Sequence, residues 1–244
     1  MNLEEAVEVR RSRRTYDPTP IDPASLEKLE QLIAQYSKEA GLRIELVLNN
    51  GDAFGGLLKS RGLFSGVRHY IGLIKTEGDP FSVEKLGYYG QLLMLNATAM
   101  GLGSCWVGGS FDRSSCPFTL LAEETIACVI VIGNAVEGFS IKEKLIQNII
   151  HRKSKDFEEM YVSDCDVPAW FIAGMKAVQK APSAINRQPV LFSYKSGKAG
   201  AGIEGTLDDG FYIDLGIAKC NFMIGAGGGT WAWGNHAEFS YKQK

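Results

Sequence analysis

A cluster of four arginines near the N-terminus could bind an anion. The segment Arg10–Tyr16 (RRSRRTY) places four guanidiniums beside a serine hydroxyl. Arginines that bind in bidentate fashion, together with a hydroxyl donor, suit a phosphate group. A solvated basic surface or a nucleic-acid-binding patch would use the same residue types. The segment by itself leaves these interpretations open.

A glycine-rich segment and a polar turn could complete a ligand site. Gly101–Gly109 (GLGSCWVGG) has paired glycines, which let a backbone approach a planar ligand with its N–H groups free. Ala181–Pro189 (APSAINRQP) offers polar side chains suited to a ribityl chain or to the carbonyl and imide edge of a flavin. A tight turn with Cys105 and Trp106 in the core, and an Asx-type turn, are the respective alternatives. No GxGxxG follows a first strand, so a Rossmann fold is not supported.

The chain has few residues arranged for catalysis by protein groups alone. Its 5 cysteines are odd in number and scattered, without a CxxC pair or a histidine at metal-ligand spacing. Its 3 histidines lie outside any recognisable nucleophile motif. Neither a disulfide framework nor a metal site is indicated, and we expect a cofactor to carry the chemistry.

Composition and charge are typical of a soluble globular protein. The 244 residues are 45% hydrophobic and 22% charged, which argues against disorder. A formal net charge of -2 gives no general attraction for nucleic acid or anionic lipid. The first residues lack a signal-peptide pattern, and no stretch of about 18 apolar residues follows. We therefore expect a cytoplasmic protein without nucleic-acid or membrane partners.

The spacing of apolar residues predicts three helices in the N-terminal half. Residues 3–11 have helical periodicity. Asp22 as N-cap and Pro23 at the first helical position begin a second helix, which runs to about residue 40. A third helix, apolar almost all round, runs from a cap at Ser82 to residue 100 and ends at a glycine.

Strands are predicted between and after these helices. Residues 44–48 and 69–75 form two strands, separated by a glycine-rich stretch at 51–66 that looks too loose for regular structure. Residues 126–133 are a continuous β-branched run, which indicates a strand buried on both faces.

The C-terminal half mixes helices and strands. Residues 136–162 are polar and suggest an excursion over the surface; the predicted helices are 168–180 and 214–226, and the predicted strands 189–194 and 231–241. Too few strand–helix–strand units are present for a doubly wound sheet. The predicted fold class is therefore α+β.

Glycines recur at a constant offset of 126 residues. The corresponding positions are Gly90 and Gly216, Gly101 and Gly227, Gly103 and Gly229, and Gly108 and Gly234, with Ser104 matching Thr230. Each set spans a long helix that runs into a glycine-rich turn and a strand. Coincidence among 28 glycines and an internal duplication both account for the pattern.

Together, the three polar segments resemble the FMN-binding motifs of the nitroreductase family. That family has an N-terminal RRSxR-type motif, an APSxxNxQPW turn, a GLGxCWxGG loop after a long central helix, and a late basic pair. RRSRR at 10–14, GLGSCWVGG at 101–109 and APSAINRQP at 181–189 match it, with Arg152 and Lys153 at the place of the basic pair. The resemblance implies a nitroreductase-like fold that binds FMN.

The order of the motifs departs from the family. The APSxxNxQP motif should follow the second helix, near residues 37–48, but this chain has it in its C-terminal half. In the family, that turn reaches the flavin from the partner subunit. The resemblance therefore implies a fused pseudo-dimer with halves at 1–163 and 164–244, which would be a monomer or a weak homo-oligomer. The second half lacks an RRSxR motif, and its glycine loop is GGGTWAWGN, so one FMN per chain is expected.

The resemblance also implies roles for individual residues. The phosphate and ribityl end of FMN would lie against Arg10, Arg11, Ser12, Arg152 and Lys153. Around the ring, Arg14 would lie near the N1–C2 edge, the backbone of Val107, Gly108 and Gly109 would face N5, and Pro182, Ser183, Ala184 and Asn186 would make contact from the other half.

The implied activity is a ping-pong oxidoreduction. NADH or NADPH would pass a hydride to the flavin, and a small acceptor such as a nitroaromatic or a quinone would then take it. Flavin-dependent dehalogenation, flavin fragmentation and azoline oxidation occur on the same fold. A non-catalytic flavin- or ligand-binding module, and a nucleic-acid binder using Arg10–Arg14, are the alternatives from other classes.

Overall fold

A computed structural model describes residues 1–141, 143–145, 154–205 and 208–242. The chain divides into two compact units, and stretches of sequence alternate between them. Unit 1 consists of Met1, Val9–Ser82 and Leu93–Ile150, and unit 2 of Asn2–Glu8, Val83–Leu92 and His151–Lys244.

Helices and strands are interspersed along the described chain. The helices are α1 (Leu3–Val9), α2 (Pro23–Ala40), α3 (Gly56–Ser60), α4 (Ser82–Ala99), α5 (Ala169–Gln179) and α6 (Asp209–Gly225). The strands are β1 (Arg43–Val47), β2 (His69–Thr76), β3 (Gly103–Val107), β4 (Glu124–Gly133), β5 (Tyr161–Ser163), β6 (Leu191–Lys195), β7 (Lys198–Gly202), β8 (Gly229–Trp231) and β9 (Ala237–Tyr241). Within the described ranges, no helix is both long and apolar enough to cross a membrane.

Unit 1 contains a four-stranded antiparallel sheet in the order β1-β2-β4-β3. In its two central strands, Tyr70 pairs with Val131 and Ile71 with Ile130. These four neighbouring residues point alternately to the two faces and are all fully buried. The prediction that residues 126–133 form a strand buried on both faces is confirmed.

An aromatic core covers one face of this sheet. The ring of Phe54 lies 5.6 Å from that of Tyr70, 5.5 Å from that of Phe64 and 6.2 Å from that of Phe111, measured between centroids. Phe54 and Phe64 lie in the stretch 51–66, where we expected no regular structure, yet a short 3-10 helix and α3 form there. That expectation was wrong because burial of the rings stabilises a segment whose glycines alone would not order it.

The ends of α2 are those that the sequence predicts. The Asp22 carboxylate accepts a hydrogen bond from the Ser25 N–H at 2.9 Å, and Pro23 is the first helical residue. Gly41 follows the helix with a φ of 66°. An N-cap, a proline at the first position and a left-handed glycine therefore set both boundaries.

The predicted strand 231–241 is wrong, because two strands, β8 and β9, form there. Three predicted helix boundaries also differ from the structure. α6 begins at Asp209 instead of residue 214, because the Asp208 carboxylate caps it by accepting the Phe211 N–H at 3.1 Å.

α1 ends at Val9 instead of residue 11, because the segment that follows is extended and Ser12 bridges to Ser104. Ser82 does not cap α4: its N–H donates to the Asp79 carbonyl at 3.0 Å, and it lies inside the first turn of the helix.

Unit 2 contains a five-stranded sheet in the order β5-β6-β7-β9-β8, in which β5 is parallel to β6 and the other pairs are antiparallel. β5 lies at the end of the segment 136–162, which we expected to be a surface excursion, and Met160 just before it is 2% exposed. That expectation was wrong for these residues. The sequence also missed β7, whose KAGAG lacks the β-branched residues typical of strands.

α4 and α6 come close together in unit 2 because glycines lie at their contact. A Cβ at Gly87 would be 2.3 Å from the carbonyl oxygen of Ile213. A Cβ at Gly216 would be 2.0 Å from the carbonyl oxygen of Glu84. No side chain fits at either position without a shift of the backbone.

Apart from α1, α3 and β5, one order of elements occurs twice along the described chain. It is α2-β1-β2-α4-β3-β4 in the first series and α5-β6-β7-α6-β8-β9 in the second, with equivalent strand orders in the two sheets. α4 and α6 both end at a left-handed glycine, Gly101 with a φ of 84° and Gly227 with a φ of 82°. The next residue's N–H donates to the carbonyl of Ala97 in the first case and of Met223 in the second. These positions again differ by 126, as an internal duplication would leave them.

The contact of α4 with α6 yields a test. We expect Gly216→Ala to destabilise the protein by about 3 kcal/mol or more, since overpacking outweighs the roughly 1 kcal/mol by which alanine favours a helix. Gly78→Ala is the control, because a Cβ there meets no atom within 4 Å. Urea unfolding followed by tryptophan fluorescence would measure both. A Gly216→Ala protein as stable as the control would contradict this packing.

Candidate functional site

The arginine segment and the glycine-rich segment meet in unit 1. The Arg13 N–H donates to the Ser104 carbonyl at 2.9 Å, and Ser12 forms a bridge with Ser104. The first motif therefore runs alongside the start of β3, which is part of the second motif. Gly101–Gly109 is accordingly not a loop throughout, but a turn, a strand and an exposed pair of glycines.

Cys105 is buried beneath the arginine segment. Burial raises the pKa of its thiol, against the effect of the nearby Arg14 and Arg10 guanidiniums and of a hydrogen bond with the Ser12 hydroxyl. The thiol is therefore neutral at pH 7 and its contact with Ser12 is a hydrogen bond between uncharged groups. This contact places the Ser12 side chain.

The guanidinium of Arg10 lies in a place that disfavours its charge. Burial, with added repulsion from Arg11 and Arg14, lowers the pKa of Arg10 to about 10. Its Nη1 donates to the Ser12 hydroxyl at 3.4 Å. Among the described residues, neither Arg10 nor Arg14 makes a salt bridge with a carboxylate. A desolvated cation without a counter-charge, as Arg10 is, suits an anionic ligand.

Arg13, in contrast, has a structural partner. Its guanidinium lies 3.2 Å from the carboxylate of Glu143, whose side chain is fully buried, and also donates to the Val136 carbonyl at 2.7 Å. The same carboxylate accepts the backbone N–H of Arg14 at 2.6 Å and of Thr15 at 3.3 Å. Glu143 thus fixes the backbone of the motif without neutralising Arg10 or Arg14.

These hydrogen bonds keep Glu143 ionised. Burial raises its pKa, but the N–H groups of Arg14 and Ser140 and the charge of Arg13 outweigh it, so that the pKa of Glu143 lies below its usual value. The Ser140 N–H donates to the second carboxylate oxygen at 2.8 Å. The carboxylate is therefore well satisfied on both oxygens.

The glycines at the other end of β3 face open space. Gly108 and Gly109 are exposed, and a Cβ at either would meet no atom within 4 Å. Their φ values are not in the positive range that favours glycine. Within the described part of the chain, neither packing nor backbone conformation requires glycine at these two positions. The close approach of a flat ligand would require it. Val107, just before them, is 2% exposed and belongs to the core.

The third motif forms a strained loop in unit 2. Ile185, Asn186 and Gln188 have φ values of 47°, 53° and 46°. Non-glycine residues in this region cost about 1 kcal/mol or more each, and they concentrate at functional sites. Pro182, Ser183, Ala184 and Asn186, which the resemblance implies as flavin contacts, lie together on this loop. It is thus more constrained than an Asx-type turn requires.

Asp214 on α6 secures this loop. Its side chain is 3% exposed and accepts the Ala184 N–H at 3.0 Å and the Arg187 Nε at 3.0 Å. Burial raises the pKa of Asp214 to about 6, although the Ala184 N–H and Arg187 act in the opposite direction. The Arg187 guanidinium also lies 3.8 Å from the centroid of the Phe211 ring.

In unit 2, the residue that corresponds to Gly108 is Gly234, and its backbone groups are hydrogen-bonded to charged side chains. The Gly234 carbonyl accepts a hydrogen bond from the Lys219 ammonium at 2.9 Å, and its N–H donates to Glu84 at 2.7 Å. Lys219 and Glu84 form an ion pair that is 0% and 1% exposed. The Gly108 carbonyl likewise accepts a hydrogen bond from the Arg113 guanidinium, at 2.8 Å. The two positions therefore differ in the buried ion pair that surrounds Gly234, and in the exposure of Gly108.

Sequence reasoning located the motifs but missed some of the residues that shape them. Glu143 lies in a segment without a motif, and no local pattern indicates its contact with Arg14. Asp214 could have been noted as an acid at the start of an otherwise apolar helix. Arg152 and Lys153 lie outside the described residues, so that the structure says nothing of their place.

The family model described as "Putative TM nitroreductase" matches residues 2–226 of the chain. The crystal structure of a "putative nitroreductase" from Thermotoga maritima is similar over 98% of this chain and 92% of that one, with 20% identity and a TM-score of 0.66. That likeness shows the fold. A nitroreductase family protein from Clostridium difficile is 18% identical over 61% of this chain and 92% of that one, with a TM-score of 0.46. A Bacteroides fragilis nitroreductase with bound FMN is 17% identical over 59% and 93%, with a TM-score of 0.45. No curated protein matches the chain.

The contacts of Glu143 predict a pH-dependent loss of stability. We expect Glu143→Gln to lower the free energy of unfolding by about 2 kcal/mol at pH 7, since a buried partner of Arg13 loses its charge. Because the folded-state pKa is lowered, the stabilisation is present above the unfolded value and is lost as the pH falls below it. Urea unfolding at pH 7 and pH 3.5 should therefore show the variant approaching the original protein in acid.

A matched variant controls for charge alone. Glu45→Gln removes a carboxylate whose side chain is 38% exposed and pairs with Arg43. We expect it to change stability by roughly 0.5 kcal/mol or less, as exposed pairs do. Equal changes in the free energy of unfolding of the two variants at pH 7 would show that the buried contacts of Glu143 stabilise the protein no more than an exposed ion pair does.

Proposed function

Because the chain belongs to the family described as "Putative TM nitroreductase", we propose that it is an FMN-dependent oxidoreductase. In this proposal, NADH or NADPH is the electron donor, and a small molecule such as a nitroaromatic or a quinone is the acceptor. The observation that carries the proposal is the desolvated guanidinium of Arg10, without a carboxylate partner among the described residues, at one end of a strand whose other end is an exposed pair of glycines.

The arginine segment has the chemistry that the phosphate of FMN needs. A phosphate monoester is nearly a dianion at pH 7, and its three oxygens accept charge-assisted hydrogen bonds. We assign this group to Arg10, Arg11 and Ser12. Binding would supply the counter-charge that Arg10 lacks among the described residues, and would thereby offset the burial and the repulsion that lower its pKa. Arg152 and Lys153 are proposed as further phosphate contacts on the resemblance of their position to the family's basic pair.

The remaining candidate residues suit the ring and the ribityl chain. When bound, FMN supplies the redox chemistry, because its N5 accepts and returns a hydride. Arg14 is proposed to stabilise negative charge at the N1–C2 edge. The backbone at Val107, Gly108 and Gly109 would leave room at N5, since a Cβ at Gly108 or Gly109 would project into the open space there. Pro182, Ser183, Ala184 and Asn186 are proposed to contact the flavin from their loop.

We further propose that the chain arose by internal duplication and binds one FMN. The repeated order of elements and the matching ends of α4 and α6 support the duplication. In unit 2, the Lys219–Glu84 pair uses the backbone groups of Gly234, which supports the loss of a second site. The flavin-to-chain ratio from the absorption spectrum of the purified protein would test this stoichiometry.

The phosphate assignment predicts a selective loss of FMN. We expect Arg10→Ala combined with Arg11→Ala to weaken FMN binding by about 100-fold or more, because each charge-assisted contact contributes roughly 1.5–3 kcal/mol. Binding of riboflavin, which has no phosphate, should change much less. Quenching of flavin fluorescence would give both dissociation constants, and circular dichroism would show that the fold persists.

Two exposed lysines on α2 provide a control of equal charge. Lys28→Ala combined with Lys38→Ala removes the same two positive charges from the surface of unit 1. We expect FMN binding to this protein to be unchanged. If the arginine variant retained its full flavin content, the proposed phosphate pocket would be refuted.

Reduction by a nicotinamide tests the activity itself. We expect anaerobic NADH or NADPH to bleach the visible flavin band of the holoprotein, and an added quinone or nitroaromatic to restore it. A yellow protein that neither nicotinamide reduces would favour a flavin-binding module or another flavin reaction. A protein without flavin that binds DNA in a salt-sensitive manner would favour the nucleic-acid alternative.

A further inference from the structure

Asp214 contacts the strained loop of unit 2 at two points. Its carboxylate accepts the backbone N–H of Ala184, at 3.0 Å and 3.2 Å to the two oxygens, and the Arg187 Nε at 3.0 Å. These two residues flank Ile185 and Asn186, whose φ values are 47° and 53°. One buried group therefore holds the residues on both sides of Ile185 and Asn186, and the third left-handed residue, Gln188, follows directly.

Two hydrogen bonds between uncharged groups also hold the loop, both at Gln188. The Gln188 N–H donates to the Ser183 hydroxyl at 2.9 Å, and the Gln188 side-chain carbonyl accepts the Lys155 N–H at 2.9 Å. A left-handed conformation at a β-branched residue such as Ile185 persists only where the surroundings impose it. Among these contacts, those of Asp214 are the ones that carry a charge.

We propose that Asp214 is a positioning residue, which holds the loop 183–188 in the backbone shape that lets Ser183 and Asn186 contact the flavin. Its protonation would release that shape and weaken flavin binding. This inference rests on the proposed function, because it assumes that the loop contacts FMN. Asp214 itself need not touch the flavin.

The surroundings of Asp214 place its titration in a pH range in which binding can be measured. The charged groups that face it are Arg187 on the loop and Asp208 at the start of α6. The elements packed beside it contribute apolar groups, among them Met160, Val178 and Ala218. Burial in these surroundings raises the pKa of Asp214 to about 6.

The pH dependence has opposite signs for the fold and for the loop. Because the folded-state pKa is raised, the ionised Asp214 disfavours folding in full above about pH 6, and this cost decreases as the pH falls from there toward the unfolded-state value. Flavin affinity should change in the other direction, since the ionised carboxylate is the form that holds Ala184 and Arg187. Acid-induced weakening of flavin binding would therefore not be explained by a loss of stability at Asp214.

The test compares Asp214→Asn with Asp208→Asn. Both changes remove one negative charge from the start of α6, but Asp208 accepts the Phe211 N–H and makes no hydrogen bond with the loop. Two quantities are measured between pH 5 and pH 7.5: the dissociation constants of FMN and riboflavin, and the hydrogen exchange of the Ala184 amide. Riboflavin is included because the phosphate of FMN itself titrates near pH 6.

We expect the riboflavin affinity of the original protein to fall about tenfold from pH 7.5 to pH 5. That of Asp208→Asn should also fall, but at a lower pH, because the charge of Asp208 raises the pKa of Asp214. At one pH unit below a pKa of about 6, about one carboxylate in ten is ionised. Asp214→Asn should bind riboflavin and FMN about tenfold more weakly at pH 7.5, without this pH dependence. Its Ala184 amide should exchange faster in the flavin-free protein as well.

The other outcomes separate the two proposals. Unchanged exchange at Ala184 in Asp214→Asn would overturn the positioning role. Faster exchange with unchanged flavin affinity would also overturn it, and would show that the loop does not contact the flavin. An original protein that binds neither FMN nor riboflavin would instead refute the proposed function, whatever the exchange at Ala184.

Discussion

The buried carboxylate of Glu143 is the contact on which the candidate site of unit 1 depends. It accepts the backbone N–H groups of Arg14 and Thr15 and the guanidinium of Arg13. One negative charge therefore fixes the second half of the basic segment, whose first half lies against β3 through the bridge of Ser12 with Ser104. Because that charge is used by the backbone and by Arg13, Arg10 and Arg14 remain without a carboxylate partner among the described residues. The Glu143 side chain thus fixes the backbone of a cationic site without neutralising the cations that could bind a ligand.

The two units share one sheet topology but differ in what surrounds the glycine that follows the edge strand. After β3, Gly108 and Gly109 are exposed and a Cβ there would meet nothing. After β8, the backbone of Gly234 is bonded to the Lys219–Glu84 pair, which is buried and fully hydrogen-bonded. A buried ion pair of this kind adds specificity more reliably than it adds stability. Both glycine carbonyls are hydrogen-bonded within the chain, that of Gly108 to Arg113 and that of Gly234 to Lys219, but Gly108 is exposed whereas Gly234 lies against a buried ion pair.

The sequence predicted those elements whose determinants are local. Helix ends are set within a few residues, by the cap at Asp22, the proline after it and the glycine that ends α4. The continuous β-branched run of β4 likewise predicts a strand without reference to distant residues. The wrong expectations for the stretch 51–66 and for β5 have one cause. The stretch 51–66 becomes ordered because Phe54 and Phe64 pack on the sheet, and β5 forms because β6 lies beside it. Such contacts join residues far apart in sequence, which local periodicity does not report.

The same division holds for the candidate site. The sequence by itself determined the three motifs, the family resemblance and the absence of a protein nucleophile motif, because these depend on residue type and on short spacing. Only the tertiary structure decided that Arg13 is a structural arginine while Arg10 is desolvated without a counter-charge, and that Asp214 secures the loop of Ser183 and Asn186. The physical reason is that burial and hydrogen bonding decide what a charged group does. Glu143 and Arg14 are 129 residues apart in the chain, and only folding brings them to 2.6 Å.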